Sequence, residues 1–360
     1  MAVQVASDFF YNIGKGLAGS PPGEWAVNHL RELLIGALKQ GPVPQHVAFE
    51  MDGNRRYARG RRMETIEGHH HGFEALARVL EICYKCGVKV VTVYAFSIEN
   101  FNRPQYEVDG LMQLAKVKLE QLTQHGDLLD RYGAAVRVLG QKDLIRQDVL
   151  DVVDRAVNMT RNNKRHVLNI CFPYTSREEM TTAIRSTVGE YMMPPGPKFN
   201  PFPPARITQK IMSQKLDQRE TLPTIRDTSP APSSRSDGDD GASSSTTLPP
   251  DSPSPPSRTL SSSGSCLKNP ETITAETLNN HMYTAGNPPL DIFVRTSGVE
   301  RLSDFMLWQC HQDTHIFFLK CLWPDFDLQH FLPVLLEWQW RQKQIEREEQ
   351  AAGNNKRKLA

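Results

Sequence analysis

Absences narrow this sequence first. No apolar run approaches the ~20 residues that a membrane-spanning helix needs, so any membrane contact is expected to be peripheral. The first residues, Met1 to Asp8, have no basic stretch followed by an apolar core, so no secretory signal is expected. Cysteine is sparse, with six residues at 83, 86, 171, 266, 310 and 321 in a chain of 360. That density does not make a disulfide scaffold and points to a reducing compartment. Neither sign of charge dominates: the net charge is +1, which gives no general field for nucleic acid or an acidic partner.

Apolar residues make up only 39%, because one stretch has almost none. Residues 221–269 are dominated by Ser, Pro, Thr, Gly and Asp and include SDGDDGASSSTTLPPDSPSPPS. Such a segment cannot bury enough apolar surface to offset its ordering entropy, so it is expected to be a disordered insertion within one domain. Asp237, Asp239 and Asp240 inside it lack a D-D-x-x-D spacing and are not read as a metal cluster.

Outside that stretch, strand and helix patterns alternate. Helices are expected at 24–40 (amphipathic), 71–86, 105–130, 143–162, 177–192, 274–283, 303–312 and 325–348. Strands are expected at 47–51, 88–97, 136–139, 167–172, 291–295 and 315–319. VKVVTVYAFS at 88–97 is continuously apolar, as in a strand buried on both faces. The alternation argues for a single α/β domain with a mostly parallel sheet wrapped by helices, whose ligands sit beyond the carboxyl ends of the strands.

Two remote stretches carry the chemistry. HVAFEMDGNRRY (46–57) and DIFVRTSGVERLS (291–303) both begin as apolar strands and end in small and charged residues. Asp52 stands beside a tight Gly53 turn, and Arg295, Arg301 and Ser303 end the other stretch. A carboxylate can hold Mg²⁺ on one diphosphate, and arginines can hold a second diphosphate without metal. Asp-Gly also suits a hairpin, but the basic, non-alternating RRYARGRR that follows fits a strand entering a helix N-terminus better. Of that arginine run, only Arg56, one turn past Asp52, is singled out; the rest reads as a solvated face, and no aromatic platform accompanies it for nucleic acid. His69, His70 and His71 point in different directions on a helix, so one useful histidine, His69, is expected rather than a metal site. Cys83 and Cys86 form a C-x-x-C without a second pair and fall on an apolar stripe, so buried structural thiols are expected. YAFSIENFNRP (94–104) gathers Ser97, Asn100, Phe101 and Arg103 at a strand's carboxyl end.

With HVAFEMDGNRRYARG, EGHHHGFEAL, VYAFSIENFNRP, DIFVRTSGVERLSDFMLWQ and CLWPDFD in order between 46 and about 330, the chain resembles the cis-prenyltransferases, the undecaprenyl diphosphate synthase family. The wording is most like the eukaryotic, fungal dehydrodolichyl diphosphate synthase catalytic subunits. The resemblance implies an apolar tunnel and repeated condensation of isopentenyl diphosphate onto farnesyl diphosphate, giving long polyprenyl diphosphate for dolichol. It implies Mg²⁺ on Asp52, a first diphosphate pocket of Gly53, Asn54, Arg55 and Arg56 with His69 close by, and Ser97 and Asn100 between the substrates with Phe101 and Arg103 nearby. Arg295, Arg301 and Ser303 would hold isopentenyl diphosphate, and Asn100 would act in proton removal with a diphosphate oxygen.

The chain departs from the family pattern in places. Glu300 stands where bacterial members have His, Thr314 where they have Glu, and Thr65 where some have Arg; Arg61 or Arg62 could substitute for the last. The Arg-x-Gly tail of bacterial members is absent from EREEQAAGNNKRKLA, so a Nogo-B-receptor-like partner is expected to lend it. A peripheral place on the cytosolic face of the endoplasmic reticulum follows from the greasy product. The expected layout is a flexible 1–23, the 24–40 helix, a catalytic domain at 43–345 interrupted by 221–269, and a charged tail at 346–360. The alternative is a non-catalytic subunit that stabilises a partner synthase; such subunits lose the Asp-Gly-Asn residues kept here as Asp52, Gly53 and Asn54.

Overall fold

Six short apolar segments become the strands of one parallel sheet. They are β1 (His46–Glu50), β2 (Val90–Tyr94), β3 (Ala134–Leu139), β4 (His166–Cys171), β5 (Ile292–Arg295) and β6 (His315–Phe318), in the order β3-β4-β2-β1-β5-β6. Every neighbouring pair is parallel. The computed structural model describes residues 21–122, 128–193, 267–311 and 313–359. The helices are α1 (Pro21–Leu38), α2 (Asn54–Gly60), α3 (Thr65–Cys86), α4 (Gln105–Leu122), α5 (Leu128–Tyr132), α6 (Gln147–Thr160), α7 (Ser176–Met192), α8 (Ala275–Asn279) and α9 (Leu328–Leu359).

The chain divides into two units, Met1–Gly189 with Ile273–Ala360, and Glu190–Thr272. The sheet belongs to the first. Of the second, 190–193 and 267–272 are described, and Lys268 there pairs with Glu190. Residues 221–266, with Asp237, Asp239 and Asp240, and the first twenty residues lie outside the described residues.

The inner strands β1, β2 and β5 are buried because both sheet faces are covered there, whereas the edge strand β6 leaves Ile316 and Phe318 exposed. Val47 and Phe49 of β1 point into a large core with Val91 and Val93, while Ala48 and Phe293 point into a smaller one with Tyr174 and Phe305. Phe49 sits at 5.4–5.9 Å from the rings of Trp323, Phe326 and Phe331, which carries the chain's C-terminal region onto the sheet. Cys83 and Cys86 are buried free thiols on α3, the structural fate expected of them.

Several boundaries differ from the periodicity. α3 begins at Thr65 rather than 71, because Glu64 and Glu67 form a capping box upstream of the apolar stripe. The 105–130 pattern yields α4 and α5, with 123–127 outside the described residues. The expected helix at 303–312 is not there. Turns replace it, with Ser303, Asp304 and Met306 at φ of 44°, 58° and 50°. Tertiary hydrogen bonds take the groups a helix would have used: Ser176 N–H donates to Asp304 O (2.7 Å), and Leu307 N–H donates to Ser176 Oγ (2.8 Å). α1 buries Ile35 and Leu38 against the domain but leaves Trp25 and Leu33 about two-thirds exposed, at 66% and 65%.

Candidate active site

β1 is the switch point of the sheet: the chain moves from it to β2 on one side and returns later as β5 on the other. Crevices beyond the strand ends at such a point are where open α/β sheets bind ligands. An acidic and a basic side chain meet there. Glu50 and Arg295 are directly paired residues of β1 and β5, and Arg295 Nη1 lies 2.8 Å from Glu50 Oε1. Arg295 Nη2 donates to Asp52 Oδ2 at 2.9 Å. The remote stretches therefore close on each other through one guanidinium.

The backbone around Asp52 is pinned. Its carbonyl accepts from Thr296 Oγ1 (2.7 Å) and from Trp323 N–H (3.1 Å). The next residue, Gly53, has φ 115° and starts α2, and a Cβ there would press on Leu322, so only glycine makes this turn without strain. Gly72 of α3 lies against Asn54: an added Cβ would stand 2.2 Å from Asn54 Oδ1. Trp323 fixes α3 here by donating its indole N–H to Gly72 O at 2.7 Å.

A cavity of about 380 Å³ opens beside Asp52. Its polar end includes Asp52, Asn54, Arg55, His69, Ser97 and Asn100, with Arg103, Arg295, Arg301 and Ser303. Its far walls are apolar: Leu111, Leu114, Ala115, Leu119 and Leu122 from one face of α4, with Val138, Val153 and Ile170 opposite. Such a space takes a ligand that is charged at one end and greasy at the other.

Three residues singled out from the sequence do not line it. Gly53 acts through the turn. Arg56 donates from Nη1 to Ser297 O (2.9 Å) and holds Asp52 Oδ2 at 3.5 Å. Phe101 packs edge-on against Phe96, with centroids 5.0 Å apart. Of the histidine trio, His69 faces the cavity, while His70 and His71 turn to Glu74. Arg61 pairs with Asp325 at 3.1 Å, and the Thr314 hydroxyl donates to Leu290 O at 2.8 Å.

Electrostatics separates the titratable groups. Burial acts to raise the Asp52 carboxyl, but hydrogen bonds from Arg295 and Ser297 and the charges of Arg295 and Arg56 outweigh it and hold it below the ordinary value. Burial pushes Glu50 up to about 8, against the pull of Arg295. Burial, then Arg103 and Arg55, bring His69 down to about 4, so its imidazole is neutral at pH 7, with a buried Nε2 that has no partner.

Known proteins agree with this fold. The chain matches the family described as putative undecaprenyl diphosphate synthase over residues 51–227 and 256–346. It belongs to that prenyltransferase family. A dehydrodolichyl diphosphate synthase complex subunit of Schizosaccharomyces pombe is 39% identical over 319 residues, covering 89% of this chain and 94% of that protein. The corresponding human subunit is 33% identical, covering 84% of this chain and 69% of its own length. A crystal structure of lavandulyl diphosphate synthase from Lavandula x intermedia shares the fold, with a TM-score of 0.56 at 21% identity over 82% of this chain and 95% of that one. The chain is thus a prenyl transferase with the sheet and apolar cavity that the resemblance implied.

Two cavity residues of this prenyltransferase escaped the sequence reading. Glu50 sits at the end of an otherwise apolar strand, and that lone charge in VAFE was the available signal. Lys118 lies buried on the apolar wall, its Nζ 2.9 Å from Gln121 Oε1 and 4.9 Å from the Phe73 ring centroid. Its helical spacing looked like any exposed lysine.

Proposed function

We propose that the chain condenses isopentenyl diphosphate repeatedly, in cis, onto farnesyl diphosphate to make the long polyprenyl diphosphate from which dolichol derives. The observation that carries this reading is the Asp52–Arg295 contact of 2.9 Å at the polar end of a cavity whose walls turn apolar. A reaction between two diphosphates needs two anion sites that touch, and a growing chain needs somewhere dry to go.

Asn54 and Arg55, on the first turn of α2, and the neutral His69 surround the allylic diphosphate. Arg301 and Ser303, linked to each other at 3.0 Å, join Arg295 in holding the homoallylic one. Asp52 is ionised at neutral pH and a third exposed, and one carboxylate with substrate oxygens is a donor set that suits Mg²⁺. Mg²⁺ on Asp52 would neutralise the charge that collects on the departing diphosphate. Arginines suit the other diphosphate, which stays attached to its carbon through the step. The allylic C1–O bond breaks as the new carbon–carbon bond forms, and a proton leaves isopentenyl C2. Asn100 orients that proton towards a diphosphate oxygen, since an amide alone is a weak base.

Relatives named as complex subunits support a heteromer, with a Nogo-B-receptor-like partner lending an Arg-x-Gly tail. Among the described residues no helix is long and apolar enough to cross a membrane. The exposed Trp25, Leu30 and Leu33 of α1 support peripheral contact with the endoplasmic reticulum surface. The test is incubation of the purified chain, alone and with such a partner, with farnesyl diphosphate, labelled isopentenyl diphosphate and Mg²⁺. Long polyprenyl products are expected, with the partner raising yield. No incorporation under either condition contradicts the reading.

A further inference from the structure

Glu50 is a cavity residue that the proposed chemistry leaves unused. Its side chain is only 7% exposed, and its Oε2 is buried without a hydrogen-bond partner while the residue faces the cavity. The Arg295 guanidinium beside it is divided. Nη1 has three acceptors, Glu50 Oε1 at 2.8 Å, Arg301 O at 2.6 Å and Ser303 Oγ, whereas Nη2 has Asp52 Oδ2. Nε is buried with no partner at all.

We infer that Glu50 is a positioning residue that anchors Nη1 of Arg295, so that Nη2 and Nε are the donors offered to a substrate diphosphate. The inference rests on the function proposed above. The two acidic side chains differ in their freedom: Asp52 is 34% exposed, and Glu50 is enclosed in the sheet opposite its partner. A ligand that draws Asp52 away from Arg295 therefore releases one end of the guanidinium only. Without the Glu50 anchor, a buried arginine would lose its last acidic partner at the moment it has to stay still. Arginine's fixed fork makes such one-ended anchoring effective, because fixing one nitrogen orients the other two.

The test uses the full chain and the variants E50L and E50Q, with two readouts. One is calorimetric binding of inorganic pyrophosphate in the presence of a chelator; the other is the KM of each substrate. E50L is expected to weaken pyrophosphate binding and to raise the KM for isopentenyl diphosphate by about ten-fold or more, as loss of a hydrogen bond to a charged group would. The KM for farnesyl diphosphate and kcat stay near parental values. E50Q keeps an acceptor at Oε1 and recovers most of the loss. Should E50L not fold, E50D, which withdraws the carboxyl by one methylene, takes its place with the same expected pattern. Parental pyrophosphate binding in E50L, equal rises in both KM values, or E50Q no better than E50L would each overturn the anchor. A parent that makes no polyprenyl product either alone or with the tail-bearing partner, yet loses pyrophosphate affinity on E50L, would refute the proposed function and support the anchor.

Discussion

Single residues in this site are tuned by what surrounds them. His69 is held neutral because burial and two arginines oppose its proton, with its pKa brought from 6.5 to about 4. An unfolded chain binds that proton at a pH where the folded chain does not. The folded state therefore gains stability from His69 as pH rises from about 4 to 6.5 and keeps it above; the gain is lost as pH falls through that window. His46, buried between Pro288 O and Thr92 Oγ1, contributes with the same sign. Glu50, raised to about 8, works the other way, since between 4.5 and 8 the folded state binds the extra proton. A difference measurement isolates His69. Between pH 7.5 and 5.5 the unfolding free energy of the parent should fall by about 1 kcal/mol more than that of His69→Gln, measured in urea. An identical pH response in the two proteins would show that the imidazole is not held neutral.

At the scale of elements, the deciding feature is how the 301–310 segment is held. It carries Arg301 and Ser303, and from 303 onward its sequence has the spacing of a helix. The helix is lost because α7 presents competing partners at its N-terminus: Ser176 bonds both Asp304 O and Leu307 N–H, and Arg177 Nε pairs with Asp304 Oδ2 at 2.8 Å. Gln309 is drawn to Thr284 Oγ1 (2.9 Å) and Glu179 (3.1 Å). The contacts to Ser176, Arg177 and Glu179 join residues more than a hundred positions apart, and Thr284 is 25 away from Gln309, so local periodicity has no access to them. Ser176→Ala takes the acceptor from the part-buried Leu307 N–H and should lower stability by about 1 kcal/mol in urea unfolding. It should also raise the KM for isopentenyl diphosphate more than that for farnesyl diphosphate, since the loosened segment carries the second anion site. Unchanged kinetics with lowered stability would separate the segment's packing from substrate binding.

The same contrast runs through the rest of the chain. Strand positions were legible because apolar runs of strand length ended in Gly or charge, and Asp52, Ser97 and Arg295 stood at those ends. Their meeting in one cavity was legible from the strand-end rule and from the resemblance but not from local sequence, since Asp52 and Arg295 stand 243 positions apart. Glu50 was missed because every position of a strand buried on both faces is read as apolar, and a buried acid paired with an arginine breaks that rule without leaving a periodic trace.

For the whole molecule, the account joins a parallel sheet that brings two loops together, a polar cavity mouth, and an apolar interior for the lengthening product. Asp52 is the residue on which these converge: it touches Arg295 and Arg56, its carbonyl is pinned by Thr296 and Trp323, and it faces the cavity. The most direct measurement is incorporation of labelled isopentenyl diphosphate by Asp52→Ala, with its partner where activity requires one, against the parent at saturating Mg²⁺. The account predicts a loss of about a thousand-fold, the scale of removing an electrostatic stabiliser of developing charge, with the variant still folded. Incorporation by Asp52→Ala equal to that of the parent would contradict it.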